Sequence, residues 1–190
     1  MRPWSPLARV LPAALLVLAA CDGGNSFDPD RLTADQVDGL YEICDLRFVP
    51  TQAAFPTADL RQGVMNLNPP ATRPRPSLSL SNGSFDLTYT RKSDNFLQQL
   101  RATYSLAPED VVLRVYTGET PSALAAELLL PQSVPLRFAD SPRRLTAGGN
   151  GFVYTVRRAD YARAAGITEN GLSERIEGRL VASLASPACS

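Results

Sequence analysis

The sequence contains no histidine. That absence removes the side chain most often used as a general base at neutral pH and the commonest protein ligand for zinc, and it makes a Ser/His/Asp triad impossible. Lysine is almost absent as well: Lys92 stands alone among Arg91, Ser93 and Asp94, in a polar stretch that reads as a solvated loop rather than as half of a serine–lysine pair. Neither sign of charge is in excess, with 19 basic against 19 acidic residues, so nucleic-acid binding has no electrostatic basis. The carboxylates are scattered. Glu109-Asp110 falls in a turn, and the spacing of Asp28 and Asp30 does not by itself specify a metal site. No catalytic residue, metal ligand or cofactor is assigned, and a hydrolase is the least supported class of function. Tryptophan occurs once, as Trp4, and cysteine three times, as Cys21, Cys44 and Cys189.

What is present begins at the N-terminus. Arg2 and Arg9 accompany an apolar run, Val10 to Leu18, that is too short to span a bilayer as a helix, and Leu18-Ala19-Ala20-Cys21 closes it. These residues resemble the signal peptide of a bacterial lipoprotein, whose small-residue box ends in the cysteine that receives the lipid. The resemblance implies cleavage before Cys21, a thioether-linked diacylglycerol and an acylated N-terminus. More than one acyl chain is what makes such anchoring stable. Residues 1–20 are then a signal peptide, 21–31 a polar, Gly- and Asp-rich tether, and 32–190 one domain. The expected location is the cell envelope, facing the periplasm or the exterior, with the inner and outer membranes both left open. Loss of Arg2 and Arg9 leaves 17 basic against 19 acidic residues, a net charge near −2. With Cys21 taken by lipid, Cys44 and Cys189 remain in a compartment that permits disulfides, and they are expected to pair.

Within the domain the strongest local signal is a hairpin. Ser77 to Ser81 and Ser84 to Thr90 alternate polar and apolar residues around Asn82-Gly83, the preferred pair for a type I′ turn. A two-residue loop pairs Ser81 with Ser84, Leu80 with Phe85 and Leu78 with Leu87, so turn and pattern agree on one register. A second hairpin around Ala107-Pro108-Glu109-Asp110 pairs Leu106 with Val111, Tyr104 with Leu113 and Ala102 with Val115. Thr33 to Gln36 has the form of a capping box and predicts a helical turn ending before Gly39. Leu40 to Phe48 reads as a strand with Leu40, Cys44, Leu46 and Phe48 on one face and Tyr41 and Ile43 on the other.

The remaining segments follow the same reasoning. Leu60 to Leu67 fits a short strand or a helical turn, and Pro69 to Pro76 a stiff extended loop. Thr120-Pro121 starts a short helix, with a strand over Glu127 to Leu130 as the alternative. Pro135 marks the start of a strand or an exposed edge. Gly148 to Gly151 reads as a turn between strands, followed by Phe152, Tyr154 and Val156 on one strand face and a capped helical turn over Asp160 to Gly166. Ile176, Gly178, Leu180, Ala182 and Leu184 line the last strand.

Short antiparallel strands at this spacing predict an all-β domain, an up-and-down barrel of about eight strands with one or two short helices; a β-sandwich is the alternative. A bridge from the first strand to beyond the last favours closure, which removes both sheet edges. The helical turn leading into Gly39-Leu40-Tyr41 and the consecutive hairpins resemble the lipocalin-like (calycin) barrels. There a Gly-x-Trp motif opens the first strand, and Tyr41 stands here in place of the tryptophan. The resemblance implies a small apolar or amphipathic ligand inside the barrel. The alternative is an envelope structural or protein-interaction module whose barrel is filled by side chains. Arg143-Arg144 and Arg157-Arg158 are expected to face each other across the Gly148–Gly151 turn as an anion site, against the plainer reading of a solvated strand face.

Overall fold

The Asn82-Gly83 turn forms as its residue types demand, with φ of 49° and 78°, and brings β3 (Ser77–Ser81) against β4 (Ser84–Thr90) in the expected register, Ser81 to Ser84, Leu80 to Phe85 and Leu78 to Leu87. The structure is a computed structural model and describes residues 31–148 and 152–189. Cys21, Asp28 and Asp30 lie outside the described residues. The other elements in chain order are α1 (Ala34–Val37), β1 (Gly39–Pro50), β2 (Ala58–Asp59), α2 (Leu60–Val64), β5 (Leu97–Leu106), β6 (Asp110–Arg114), α3 (Ala123–Glu127), β7 (Ser133–Asp140), β8 (Arg143–Ala147), β9 (Tyr154–Arg157), α4 (Arg158–Ala165) and β10 (Arg175–Ala185). Neighbouring strands pair antiparallel in the order β1-β3-β4-β5-β6-β7-β8-β10, and β10 returns to β1, closing an eight-stranded barrel. β2 and β9 stand outside this ring as short partners of β1 and β10. The sandwich alternative is thereby set aside.

The second hairpin pairs Leu106 with Val111 and Tyr104 with Leu113 as expected, but β6 stops at Arg114. Val115 turns its N–H to Gln132 instead of pairing with Ala102. In α1 the Thr33–Gln36 capping box is complete, and Asp59 and Ser122 cap α2 and α3 through their side chains. The cap of α3 is therefore Ser122, two residues later than Thr120. Ser122 accepts the N–H of Ala125, which Thr120 is too far upstream to do. β10 buries alternate residues from Ile176 to Leu184, as its period-two pattern predicts.

The first strand departs from the expected pattern, and the cause is one residue. Ile43 pairs with Leu184 and Asp45 with Ser183, leaving Cys44 as an unpaired bulge in β1. Before the bulge Tyr41 and Ile43 face the core and Leu40 is 61% exposed; after it Leu46 and Phe48 face the core. A bulge shifts the alternation by one, so the four residues expected on one face divide between two. The same irregularity frees Cys44 to meet Cys189, with a Cα–Cα distance of 5.4 Å. Pro135 also has a local explanation. It pairs with Val112 of β6, but β8 joins β7 only from Arg137 onward, so the stretch around Pro135 is a local edge inside a closed barrel.

The two ends of the barrel differ. α1, the β3–β4 turn, the start of β8 and the disulfide gather at one end. α2, α3, α4 and β9 gather at the other.

Candidate functional site

The interior of the barrel comes first, because a ligand was expected there. It is lined entirely by apolar side chains, among them Ile43, Phe85, Leu87, Leu136 and Leu180, and the cavity between them amounts to about 30 Å³. Pockets that take drug-sized molecules run to roughly 300–1,000 Å³. The interior is thus filled by side chains, as a barrel of about eight strands allows.

Both ends of this core are plugged by polar networks tied to buried tyrosines. At the α1 end the Tyr41 hydroxyl donates to the Val37 carbonyl at 2.6 Å, and the Arg143 guanidinium lies over the Tyr41 ring, 5.5 Å from its centroid. Arg143 also donates to the Gln36 and Asp38 carbonyls. The Asp38 carboxylate accepts from the Tyr104 hydroxyl and from Asn82 N–H, so one aspartate ties α1 to the hairpin turn and to β5. At the opposite end Arg91 forks onto Glu127 at 2.8 and 3.0 Å, and Tyr89 donates to the same carboxylate at 3.1 Å.

Burial has an electrostatic consequence for the phenols. All six tyrosines hold their protons above the ordinary phenol range, in each case chiefly because burial disfavours the phenolate. Tyr104 is pushed up to about 12, by burial and then by its hydrogen bond to Asp38. Tyr89 and Tyr154 are raised further, and the carboxylate of Glu127 adds to burial at Tyr89. A phenol whose folded value exceeds its unfolded value of about 10 stabilises the fold fully below that pH. The contribution is lost as the pH climbs through the folded value. In an alkaline titration, most of the tyrosinate absorbance should therefore stay silent past about pH 10 and then appear together with loss of circular dichroism. A gradual rise centred near the ordinary phenol value, with the fold intact, would contradict these burials.

The expected arginine site does not assemble. β8 and β9 do not form a hairpin; both lie antiparallel to β10 on the same side of it, and so run in one direction as a single lane. Ala147 pairs with Ala182 and Tyr154 with Gly178, so the ends of β8 and β9 are separated by only three residues of β10. β9 therefore continues in the direction of β8 instead of reversing it, and residues 149–151 lie outside the described residues. Arg144 is opposite Ala185 and Arg157 opposite Arg175, ten positions along β10 and hence about 33 Å apart. Arg143 serves the α1 plug, Arg157 pairs with Asp160 at 2.7 Å, Arg158 pairs with Glu169 at 3.1 Å, and Arg144 is also engaged.

The interruption creates a different feature on the outside of the barrel. Because β8 leaves β7 at Arg137 and β9 is displaced, β9 faces the connector from α3 to β7 across a gap. Three adjoining hollows of about 240, 530 and 230 Å³ run along it, all bordered by Pro131. Tyr116 and Tyr154 line its middle, and Phe152 stacks on Tyr154 with ring centroids 5.8 Å apart. Phe152 and Val153 are 47% and 41% exposed, against the usual tendency of large apolar side chains to bury. Tyr154, whose ring packs edge-on to the buried Phe48, donates to the Leu129 carbonyl at 2.6 Å. Leu129 is itself held at φ 48°, a left-handed conformation costing a leucine on the order of 1–3 kcal/mol. Sequence reasoning placed Phe152 and Tyr154 on one strand face and did not foresee the hollows beside them; β9 begins only at Tyr154, so Phe152 and Val153 precede the strand.

Comparison with known proteins finds no matching family model, no matching curated protein and no matching solved structure.

Proposed function

We propose that this chain is a lipid-anchored lipoprotein of the bacterial cell envelope, processed at Cys21, whose barrel serves as a protein-interaction module and not as a ligand carrier. The observation that carries the choice between module and carrier is the side-chain-filled interior, whose cavity of about 30 Å³ leaves binding to the outer surface. The Leu18-Ala19-Ala20-Cys21 box supports the anchor, and a bridge between Cys44 and Cys189 fits an oxidising compartment. Membrane attachment runs through the lipid on Cys21, and the partner is an envelope protein.

Native mass spectrometry of the protein extracted from membranes tests both halves. The expected mass is that of residues 21–190 plus acyl groups, with no further small molecule, and Cys21→Ala should move the protein out of the membrane fraction. An unprocessed chain would overturn the anchor. A stoichiometric co-purifying lipid inside the barrel would overturn the module.

A further inference from the structure

At the end of the barrel away from α1, one strand of the wall stops short of its neighbour. β5 runs for ten residues, but β6 pairs only with the last four, from Thr103 to Leu106. Register decides which backbone groups this leaves open. Tyr104 donates to the Gly83 carbonyl, so the even-numbered residues of β5 turn their N–H and C=O toward β4 and the odd-numbered ones turn away. Thr103 and Ser105 meet β6 in this way. For Leu97, Gln99 and Arg101, nothing among the described residues accepts from the N–H or donates to the carbonyl, along an edge of about 14 Å. Natural sheets usually blunt such an edge, yet this one carries no proline, lysine or bulge. Its one charge, Arg101, is bound to Asp86 at 2.8 Å. Phe96 and Leu97, at its open end, are 64% and 47% exposed.

We propose that this edge pairs with the same edge of a second copy of the chain, antiparallel about a two-fold axis through Gln99. Leu97 of each copy then lies opposite Arg101 of the other. All three outward residues fall in hydrogen-bonded pairs, so every open N–H and C=O of both copies finds a partner. The side chains agree with this register. Gln99 meets Gln99 on the axis, and Leu97 packs on the apolar stem of Arg101, whose guanidinium is already neutralised by Asp86. No like charges meet across the interface. One residue beyond Leu97, Phe96 comes opposite Ala102 of the other copy, on the core-side face and directly beside the end of β6 at Arg114. Ala102 is only partly buried there, so the exposed ring of each copy covers the opening in the wall of the other.

What selects a second copy over an unrelated strand is this ring. Any extended segment satisfies the backbone, but the copy also delivers an apolar side chain to the opening, because Phe96 and Ala102 are each three residues from Gln99. Antiparallel pairing turns the two α1 ends in opposite directions, and both lipid anchors reach one membrane when the barrels lie along its surface. That shared surface supplies the concentration a short interface needs. For this concentration alone the proposal rests on the anchored reading above.

The experiment places one added cysteine in the full lipidated chain in its own membranes and applies a short bismaleimide. Gln99→Cys probes the axis, and Leu40→Cys and Thr146→Cys probe other exposed outer positions. The expected result is a covalent dimer at Gln99→Cys, at least tenfold above both controls, with a peptide map that joins residue 99 to residue 99. Phe96→Ser, a change at an exposed side chain, should lower that yield at least tenfold. Without any added cysteine, native mass spectrometry of the extracted protein should show a dimer that becomes a monomer in Gln99→Pro. Proline at 99 removes only an outward N–H and spares the ladder to β4; Phe96→Ser carries the same test if the proline variant does not accumulate. Equal yields at all three positions, a link from residue 99 to another protein, or a dimer insensitive to both variants overturns the proposal. A membrane-bound chain that stays monomeric also overturns it and leaves the anchor and the interaction module standing. A chain absent from the membrane fraction overturns the anchor, and the same crosslinking at raised protein concentration then decides the pairing.

Discussion

Replacing Cys44 and Cys189 together by serine is expected to lower the unfolding free energy by about 5 kcal/mol, from the entropy of a loop closed across 145 residues in the unfolded chain. For a chain of this size that corresponds to a fall in melting temperature of roughly 10–20 °C. The barrel should nevertheless stay closed, because the β1–β10 ladder continues beyond the bulge from Asp45 to Pro50 without help from the bridge. Urea denaturation of the oxidised and serine forms checks the magnitude. Hydrogen exchange checks the closure: protection should persist from Arg47 to Val49 and weaken around Glu42. A difference below about 1 kcal/mol would place the bridge outside the energetics of the fold, in contrast to the usual cost of losing a native disulfide.

Gly178→Ala is the second large effect, on the order of 3 kcal/mol or more, at the top of the range for overpacking. A Cβ at this position would lie 2.4 Å from Cζ of Phe48 and 2.7 Å from the Val49 carbonyl oxygen. Neither neighbour can retreat. Phe48 is fully buried, with its ring edge-on to Tyr154 at 5.5 Å and tilted against Tyr161 at 5.8 Å, and Val49 belongs to the ladder that closes the barrel. Gly63→Ala in α2 is the control, because its nearest new contact is an ordinary 3.7 Å and helix propensity favours alanine by about 0.5–1 kcal/mol. Phe48→Leu in the Gly178→Ala background should recover part of the loss, since it removes the ring clash and leaves the carbonyl clash. Equal stabilities for Gly178→Ala and Gly63→Ala would contradict the packing described.

These two positions also mark what could be read from the chain. The Cys44–Cys189 pairing could be read from cysteine number once Cys21 is set aside, and closure from where the two residues sit, because both arguments need only order along the sequence. The Asn82-Gly83 hairpin and the alternation from Ile176 to Leu184 were legible for a related reason: turn chemistry and period two are local. The bulge at Cys44 was not, since one inserted residue leaves the residue types on either side unchanged and only the partner strand reveals the shift. Gly178 looked like one more inward position of β10; that it must be glycine depends on a phenylalanine 130 positions earlier. The arginine pairs were misplaced because a glycine-rich segment between two strands ordinarily reverses the chain, whereas here the lane resumes in the same direction. The groove beside β9 is a consequence of that interruption, so it became visible only with the topology.

β10 has a mechanical role that its packing alone does not suggest. It reaches from the α1 end, where it pairs with β8 and the start of β1, to the far end, where it holds β9. A pull between Arg31 and β9 runs lengthwise along β10. Its hydrogen bonds lie across that direction and are loaded together, in shear, instead of being peeled one at a time. Tension between the two ends of the barrel would then be carried with β10 as the tie rod and the Cys44–Cys189 bridge as the rivet at the α1 end.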